Sequence, residues 1–271
     1  MIVLNACWPA LAAEQVDLKL VLATDVSGSI NSDELWLERT GTAAAFRDPA
    51  IIKAIQGGAL GRIAVSILDF SSPGFGKTVI GWRIIRDAGS AAAFARAILA
   101  LPRTPGDRTS VSNALELGAQ AIRSSTNEIV ATRNVIDVTG DGPNNIGKPI
   151  LDIRERTVAQ GIVVNGLPVM DENANGYFPG LDKYYQACVA GGRGAFVIIV
   201  HSYGDFASAM RRKLILEISE NEEVTKQADD EWNRGTLIRQ IAAAQRRPVQ
   251  APVLLRPGRN EFSRNCDIPN G

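Results

Sequence analysis

Apolar residues along this chain alternate between short continuous runs and longer stretches in which they repeat every three to four positions. Continuous apolar runs are typical of strands that are buried on both faces of a sheet, and the longer period is typical of helices that bury one side. The runs predict six strands, at residues 16–24, 62–70, 78–85, 134–139, 161–169 and 195–200. The helical stretches fall mainly between them, at residues 32–47, 48–56, 90–101, 109–123, 150–160, 181–189 and 205–218.

Strands that alternate with helices in this way predict an α/β fold with a doubly wound, mostly parallel, six-stranded sheet and helices on both faces. One pair is different, because the link at residues 71–77 is too short for a crossover helix. The strands on either side of it are therefore expected to form a hairpin, which places one antiparallel strand at an edge of the sheet.

The pattern divides the chain into three parts. Residues 14–219 carry the α/β domain, and residues 1–13 are interpreted as a truncated signal peptide. Residues 10–12 have the small-x-small form of a cleavage site, although a basic start is missing. Residues 220–271 form a tail with a helical segment at 228–246 and an end rich in Pro, Arg and Asn. The tail is too short for a core of its own, and the pattern leaves open whether it packs on the domain.

Composition argues against two classes of protein, those that bind nucleic acid and those that span a membrane. The 271 residues are 45% hydrophobic, and 29 basic residues balance 29 acidic ones, so the formal net charge is zero. A nucleic-acid partner would favour a basic face, which this balance does not support. No apolar run is long enough for a membrane span. Together with the N-terminus, these features predict a periplasmic or secreted protein.

The three cysteines, Cys7, Cys188 and Cys266, fit an exported protein without proving it. If Cys7 is removed with the signal, the other two could form a disulfide in an oxidising compartment. A buried free Cys188 and an exposed free Cys266 remain the alternative.

Candidate chemistry lies in three loops. The first, Asp25-Val26-Ser27-Gly28-Ser29, directly follows the first strand; the second, at residues 105–110, presents Thr109; the third carries Asp141 directly after the strand at 134–139. In a doubly wound sheet, such loops meet outside the carboxyl ends of the strands. Hydroxyl and carboxylate oxygens suit a hard divalent cation such as Mg²⁺.

With these motifs, the chain resembles a von Willebrand factor type A (VWA) domain that has a metal-ion-dependent adhesion site, and it is similar to a group of bacterial exported proteins built on that domain. The Asp-x-Ser-x-Ser motif is complete at Asp25, Ser27 and Ser29, the threonine of the second loop falls on Thr109, and the Asp-Gly of the third falls on Asp141. The resemblance spans residues 17–218. One departure is Gly140, which is inserted where the family more often has Thr-Asp-Gly, and it puts the reach of Asp141 in question.

The resemblance implies a Rossmann-like fold and a metal site formed by these five residues, with Mg²⁺ as the expected ion and Mn²⁺ or Ca²⁺ as alternatives. It also implies a function: the ion binds an Asp or Glu of an unidentified partner protein, so the domain is a metal-dependent binding or adhesion module. Partner specificity is expected from the loops at residues 71–77, 144–148 and 171–180.

Two other functions are alternatives. A metal-free structural scaffold would keep the fold without the ion. A metal-assisted hydrolase is disfavoured because the sequence offers no positioned general base: His201 is the one histidine, and it follows a strand. Ser27 also lacks the Gly-x-Ser-x-Gly setting of a nucleophile elbow. The protein is therefore expected not to be an enzyme.

Charged residues outside the three loops are expected to have structural roles. Asp69 and Asp137 interrupt apolar strands, where an unpaired charge would be costly, so both are expected to have partners within the fold. The basic run at residues 211–213 is expected to lie on the solvated face of the last helix.

Overall fold

A computed structural model describes residues 12–172, 174, 177–219, 253–257 and 266. The predicted signal segment, except for residues 12 and 13, and the helix predicted at residues 228–246 lie outside this part. The strands are β1 Glu14–Asp25, β2 Ile63–Phe70, β3 Gly76–Ile85, β4 Ile129–Gly140, β5 Ile162–Pro168, β6 Val197–Ile199 and β7 Val253–Leu255. The helices are α1 Ser32–Phe46, α2 Pro49–Gln56, α3 Ala88–Leu99, α4 Val111–Ser124, α5 Ile150–Val158, α6 Leu181–Tyr184 and α7 Phe206–Ser219, and a π-helical turn, Tyr185–Val189, continues α6.

The strands form one sheet in the order β3-β2-β1-β4-β5-β6-β7. Within this order, the five strands β2-β1-β4-β5-β6 are parallel to their neighbours. The edge strand β3 pairs antiparallel with β2 through the predicted hairpin. The chain runs outward from β1 to β3 and returns on the other side of β1 to form β4, so the strand order reverses between β1 and β4. A reversal of this kind leaves a crevice at the carboxyl ends of the two strands.

The predicted fold class is confirmed, and all six predicted strands are present. The sheet has a seventh strand because the tail contributes β7, which pairs antiparallel with β6. With only three residues, β7 is too short for a periodicity to reveal it.

Helices cover both faces of the sheet and bury two apolar cores. Residues of α1, α2, α3 and α7 pack in one core, and residues of α4, α5, α6 and the π-helical turn pack in the other. Helix α1 begins at the predicted residue 32, and its capping residue is Asn31. Its side chain accepts hydrogen bonds from the N–H groups of Asp33 and Glu34, while the Glu34 carboxylate accepts one from the Asn31 N–H.

The described parts of the tail pack on the domain. Besides β7, a disulfide joins Cys266 to Cys188 of the π-helical turn, and both residues are buried. The sequence had left open whether the tail packs on the domain and whether the two cysteines are joined, and the structure shows both. None of the helices among the described residues is long and apolar enough to cross a membrane.

The two acidic residues within strands are paired, as expected. Asp69 accepts a hydrogen bond of 2.8 Å from Arg39, and Asp137 forms an ion pair with Lys213 of α7. The expectation that residues 211–213 are solvated is wrong for two of the three. Lys213 is fully buried, and the buried Arg211 forms an ion pair of 2.8 Å with Asp48. Their acidic partners belong to other elements, which the sequence of one helix cannot reveal.

Candidate metal centre

Three loops meet at the crevice between β1 and β4. The first loop (residues 25–31) connects β1 to α1, the second loop (residues 100–110) connects α3 to α4, and the third loop (residues 141–149) connects β4 to α5. Backbone hydrogen bonds join the first two: the Gly28 N–H donates to Asp107 O at 2.6 Å, and the Gly106 N–H donates to Val26 O at 2.7 Å. The two loops are therefore held as one unit.

The second loop is also held by Ser71, a fully buried residue that follows β2. The Ser71 hydroxyl accepts a hydrogen bond from the Asp107 N–H at 2.8 Å and donates one to Arg108 O at 2.7 Å. A side chain at Gly106 would overlap Ser71, so only glycine fits that close approach.

Asn145 of the third loop holds Thr109. The Thr109 N–H donates to the Asn145 side-chain oxygen at 3.0 Å, and the Asn145 N–H donates to Thr109 O at 3.0 Å. The neighbouring Asn144 accepts a hydrogen bond of 2.9 Å from the Ser112 N–H in the first turn of α4. These contacts join the second and third loops.

The structure brings together all five residues that the sequence singled out. Ser29 Oγ donates to Asp141 Oδ1 at 2.8 Å, and Ser27 Oγ lies 3.2 Å from Ser29 Oγ. Thr109 Oγ1 donates to Ser27 Oγ at 3.1 Å, and the Ser27 N–H donates to Asp25 Oδ1 at 2.8 Å. Three hydroxyls and two carboxylates thus form one hydrogen-bonded group contributed by all three loops.

Both carboxylates are buried, and each has an oxygen without a hydrogen-bond partner. Asp25 is 0% exposed and Asp141 is 1% exposed. Within the described part of the chain, nothing donates a hydrogen bond to Asp25 Oδ2 or to Asp141 Oδ2. Burial, followed by the charge of Asp141, raises the pKa of Asp25 to about 8, and burial also raises the pKa of Asp141. Two carboxyl groups whose charged forms are disfavoured by burial thus share one site, and a bound cation would stabilise those charged forms.

The structure explains why the residue that departs from the family pattern, Gly140, is a glycine. A β-carbon at this position would lie 3.0 Å from both Asp25 Oδ2 and the Tyr185 hydroxyl oxygen, closer than such contacts normally come. Glycine thus leaves room for the Asp25 carboxylate. Asp141 nevertheless reaches the site, as its hydrogen bond with Ser29 shows.

Sequence reasoning missed two groups beside the site. Glu38 of α1 is 2% exposed, and burial together with the charges of Asp25 and Asp69 raises its pKa well above the ordinary value. Tyr185 is buried, and its hydroxyl has no hydrogen-bond partner among the described residues. For Glu38 a signal existed, since it lies three residues after the buried Leu35 and four before the buried Thr42, on one helix face.

The donor set fits a hard divalent cation. All five groups offer oxygen, and the two unpartnered carboxylate oxygens are buried where a positive charge would offset their desolvation. Among the described residues no group of three or more His, Cys, Asp or Glu side chains could hold a metal ion, and this site has only two carboxylates. Any ion here would depend on the hydroxyls of Ser27, Ser29 and Thr109 as well.

A doubly wound sheet with these three loops at the point of strand reversal is the VWA-type fold. The chain belongs to the family described as "Protein of unknown function (DUF1194)", whose model matches residues 15–222. No curated protein matches the sequence.

Solved structures show the same fold at low sequence identity. One is proximal thread matrix protein 1 from the mussel byssus with a zinc-occupied MIDAS motif (15% identity, TM-score 0.57), which matches over 76% of this chain and 49% of that one. Another is the pilus adhesin SpaC from Lactobacillus rhamnosus GG (16% identity, TM-score 0.51), with 80% and 32% covered. A more distant match is described as von Willebrand factor type A from Catenulispora acidiphila (15% identity, TM-score 0.49), with 75% and 43% covered. The chain thus spans about half or less of the length of these structures.

Proposed function

We propose that this protein is a metal-dependent binding module whose divalent cation coordinates an Asp or Glu side chain of a partner protein. The observation that carries the proposal is the hydrogen-bonded group of three hydroxyls and two carboxylates, with a buried, unpartnered oxygen on each carboxylate. Ser27, Ser29 and Thr109 would hold the ion together with Asp25 and Asp141. Mg²⁺ is the expected ion, with Mn²⁺ and Ca²⁺ as alternatives, because all the donors are oxygen atoms.

The donor set also favours a partner that supplies a carboxylate. Three of the five groups are neutral hydroxyls, so a bound ion keeps much of its attraction for a further negatively charged oxygen. Zinc occupies the MIDAS motif of the mussel thread protein, and SpaC is a pilus adhesin, which supports a metal-dependent adhesive role over an enzymatic one.

The surface near the first loop offers apolar area to a partner. Trp36 lies in the second turn of α1, the helix that begins at this loop, and its side chain is 63% exposed. Exposed tryptophans are frequent among the residues that dominate protein interfaces. We therefore infer that Trp36 contributes to the same binding face.

We also propose that the protein works outside the cytoplasm, in the periplasm or as a secreted protein. The disulfide between Cys188 and Cys266 supports this, because structural disulfides persist mainly in oxidising compartments.

Calorimetric titration tests the metal site directly. Mg²⁺, Mn²⁺ and Ca²⁺ are added separately to the wild-type chain and to the Asp25→Asn and Ser29→Ala variants, with Asp107→Asn as the matched control. Asp107 lies in the second loop but is exposed, and its side chain is not part of the hydrogen-bonded group. Saturable binding is expected in the wild type and in the control, with at least a tenfold weaker affinity in both site variants.

The partner half of the proposal is tested by repeating the titration with acetate as a carboxylate mimic. Acetate should tighten metal binding in the wild type, because it supplies the oxygen that a partner would supply. Absence of binding for all three ions, with and without acetate, would favour the metal-free scaffold instead.

A further inference from the structure

A cavity lies far from the proposed metal centre. Its volume is about 580 Å³, and it is lined by parts of β4, β5 and α7, by the segment before β6 and by Arg256 directly after β7. On β4 it reaches Arg133, eight residues before Asp141, which corresponds to roughly 26 Å along a strand. Its volume is within the range of small-molecule sites, roughly 300–1,000 Å³. The cavity is therefore large enough for a ligand and separate from the metal centre.

The charge around this cavity is mainly positive. Arg133, Arg193 and Arg256 line it from three different segments, and Glu217 is the one carboxylate among its described lining residues. Arg133 donates a hydrogen bond of 2.8 Å to the Glu217 carbonyl and lies 3.6 Å from its carboxylate. The same carboxylate lies 3.8 Å from the buried Lys213 Nζ. Glu217 thus lies between Arg133 and Lys213, and Lys213 is also paired with Asp137, so the charges of Arg193 and Arg256 are not offset within this group.

Burial reduces the negative charge that the Glu217 carboxylate contributes to the cavity. Burial raises the pKa of Glu217, and the charge of Asp137 raises this pKa further. A carboxyl group with a raised pKa carries less negative charge near neutral pH. Among its described lining residues the cavity therefore has more positive than negative charge.

Two of the lining arginines, Arg193 and Arg256, are exposed. Arg193 is exposed, forms no ion pair with the described residues, and lies between Gly192 (φ 96°) and Gly194 (φ 80°). These left-handed conformations favour glycine and form the tight turn that presents Arg193 at the cavity. Arg256 donates a hydrogen bond of 2.9 Å to Gly194 O, and its guanidinium carbon lies 5.8 Å from the Phe196 ring centroid.

The remaining lining is largely apolar, since it includes Val135, Val163, Phe196 and Leu216. Guanidinium groups match the geometry of carboxylates and phosphates, which they bind with two parallel hydrogen bonds. We propose that this cavity binds a small organic anion, a carboxylate or a phosphate ester, that carries an aliphatic or aromatic group. This site is independent of the proposed metal centre.

The test uses benzoate, phenyl phosphate and inorganic phosphate, titrated into the full chain by calorimetry in the presence of EDTA. Benzyl alcohol is the uncharged control. At least one aromatic anion is expected to bind saturably and at least tenfold more tightly than inorganic phosphate, and benzyl alcohol should not bind. Benzoate and phenyl phosphate together distinguish a carboxylate site from a phosphate site.

Variants locate the binding. Arg193→Ala should weaken it at least tenfold, as expected for the loss of a charge-assisted hydrogen bond. The matched control is Arg96→Ala, which removes an exposed arginine of α3 outside the cavity, and Asp25→Asn should leave binding unchanged because that residue belongs to the metal centre. Failure of both aromatic anions to bind would overturn the proposal, as would equal weakening by Arg96→Ala or an equal affinity for inorganic phosphate.

Discussion

Asp25 occupies a position that is costly for the metal-free protein and that the proposed metal site would explain. It is completely buried, close enough to Asp141 for their charges to interact, and one of its oxygens has no hydrogen-bond partner among the described residues. A carboxylate in such a place is stable only when a proton or a cation neutralises it. Its raised pKa is thus the electrostatic counterpart of a site for a positive ion.

The burial and the raised pKa of Asp25 predict how Asp25→Asn changes stability with pH. In the metal-free protein the pKa of Asp25 is raised from 3.8 to about 8, so between these values the folded state binds a proton that the unfolded state has released. The stabilisation from this proton is complete below about pH 4 and is lost as the pH rises to about 8. Asparagine does not titrate. Relative to wild type, the variant should therefore gain stability steadily from pH 5 to pH 8.

Thermal unfolding in EDTA at several pH values measures this difference, with the exposed Asp107→Asn as a control that should show no such trend. Saturating Mg²⁺ should reverse the order, because the ion stabilises only the protein that binds it. A variant that is less stable than wild type at pH 8 in EDTA would contradict the electrostatic argument.

At the scale of elements, the proposed metal centre depends on contacts between loops. Ser71 follows β2, yet its hydroxyl fixes the backbone of the second loop at Asp107 and Arg108, directly before Thr109. The position of Thr109 therefore depends on Ser71, which does not belong to the site, as well as on Asn145.

Ser71→Ala tests this dependence. The substitution leaves the Asp107 N–H and the Arg108 carbonyl without a partner, so the free energy of unfolding should fall by about 1–3 kcal/mol. Metal affinity should fall about tenfold, because Thr109 loses its support. Urea unfolding and metal calorimetry measure the two effects separately.

Ser66→Ala is the matched control. Ser66 is also a buried serine, and its hydroxyl donates to Ile80 O at 2.9 Å within the β2–β3 pair, away from the second loop. It should lose stability but keep its metal affinity. If both variants lose metal affinity equally, general destabilisation explains the effect and the specific role of Ser71 is wrong.

Sequence patterns predicted the elements better than they predicted the contacts between them. Buried parallel strands are continuous apolar runs, so the six strands of the main sheet could be recognised, and strand ends marked the loops with Asp25, Thr109 and Asp141. The roles of Ser71 and Asn145 could not be recognised, because each depends on which loop lies opposite. The same holds for Lys213, whose acidic partner Asp137 is 76 positions earlier in the sequence.

At the scale of the whole molecule, the tail is joined to the domain at two described points. β7 extends the sheet beyond β6, and Cys266 is linked to Cys188 in the π-helical turn. The five residues of the metal centre all lie between positions 25 and 141 and belong to neither attachment. Stability and metal binding should therefore respond differently when the attachment is cut.

Removal of the disulfide tests this separation. The bond joins residues 78 positions apart, so it restricts the unfolded chain strongly, and its loss should lower the free energy of unfolding by roughly 2–5 kcal/mol. Urea unfolding of the wild type with and without dithiothreitol measures the loss, and Cys188→Ala/Cys266→Ala should be insensitive to the reductant. Metal affinity of the double variant should stay within about threefold of wild type below the unfolding transition. Thiol titration of the denatured, unreduced 271-residue chain should detect one of its three cysteines, and three free thiols would show that the pair is not joined in solution.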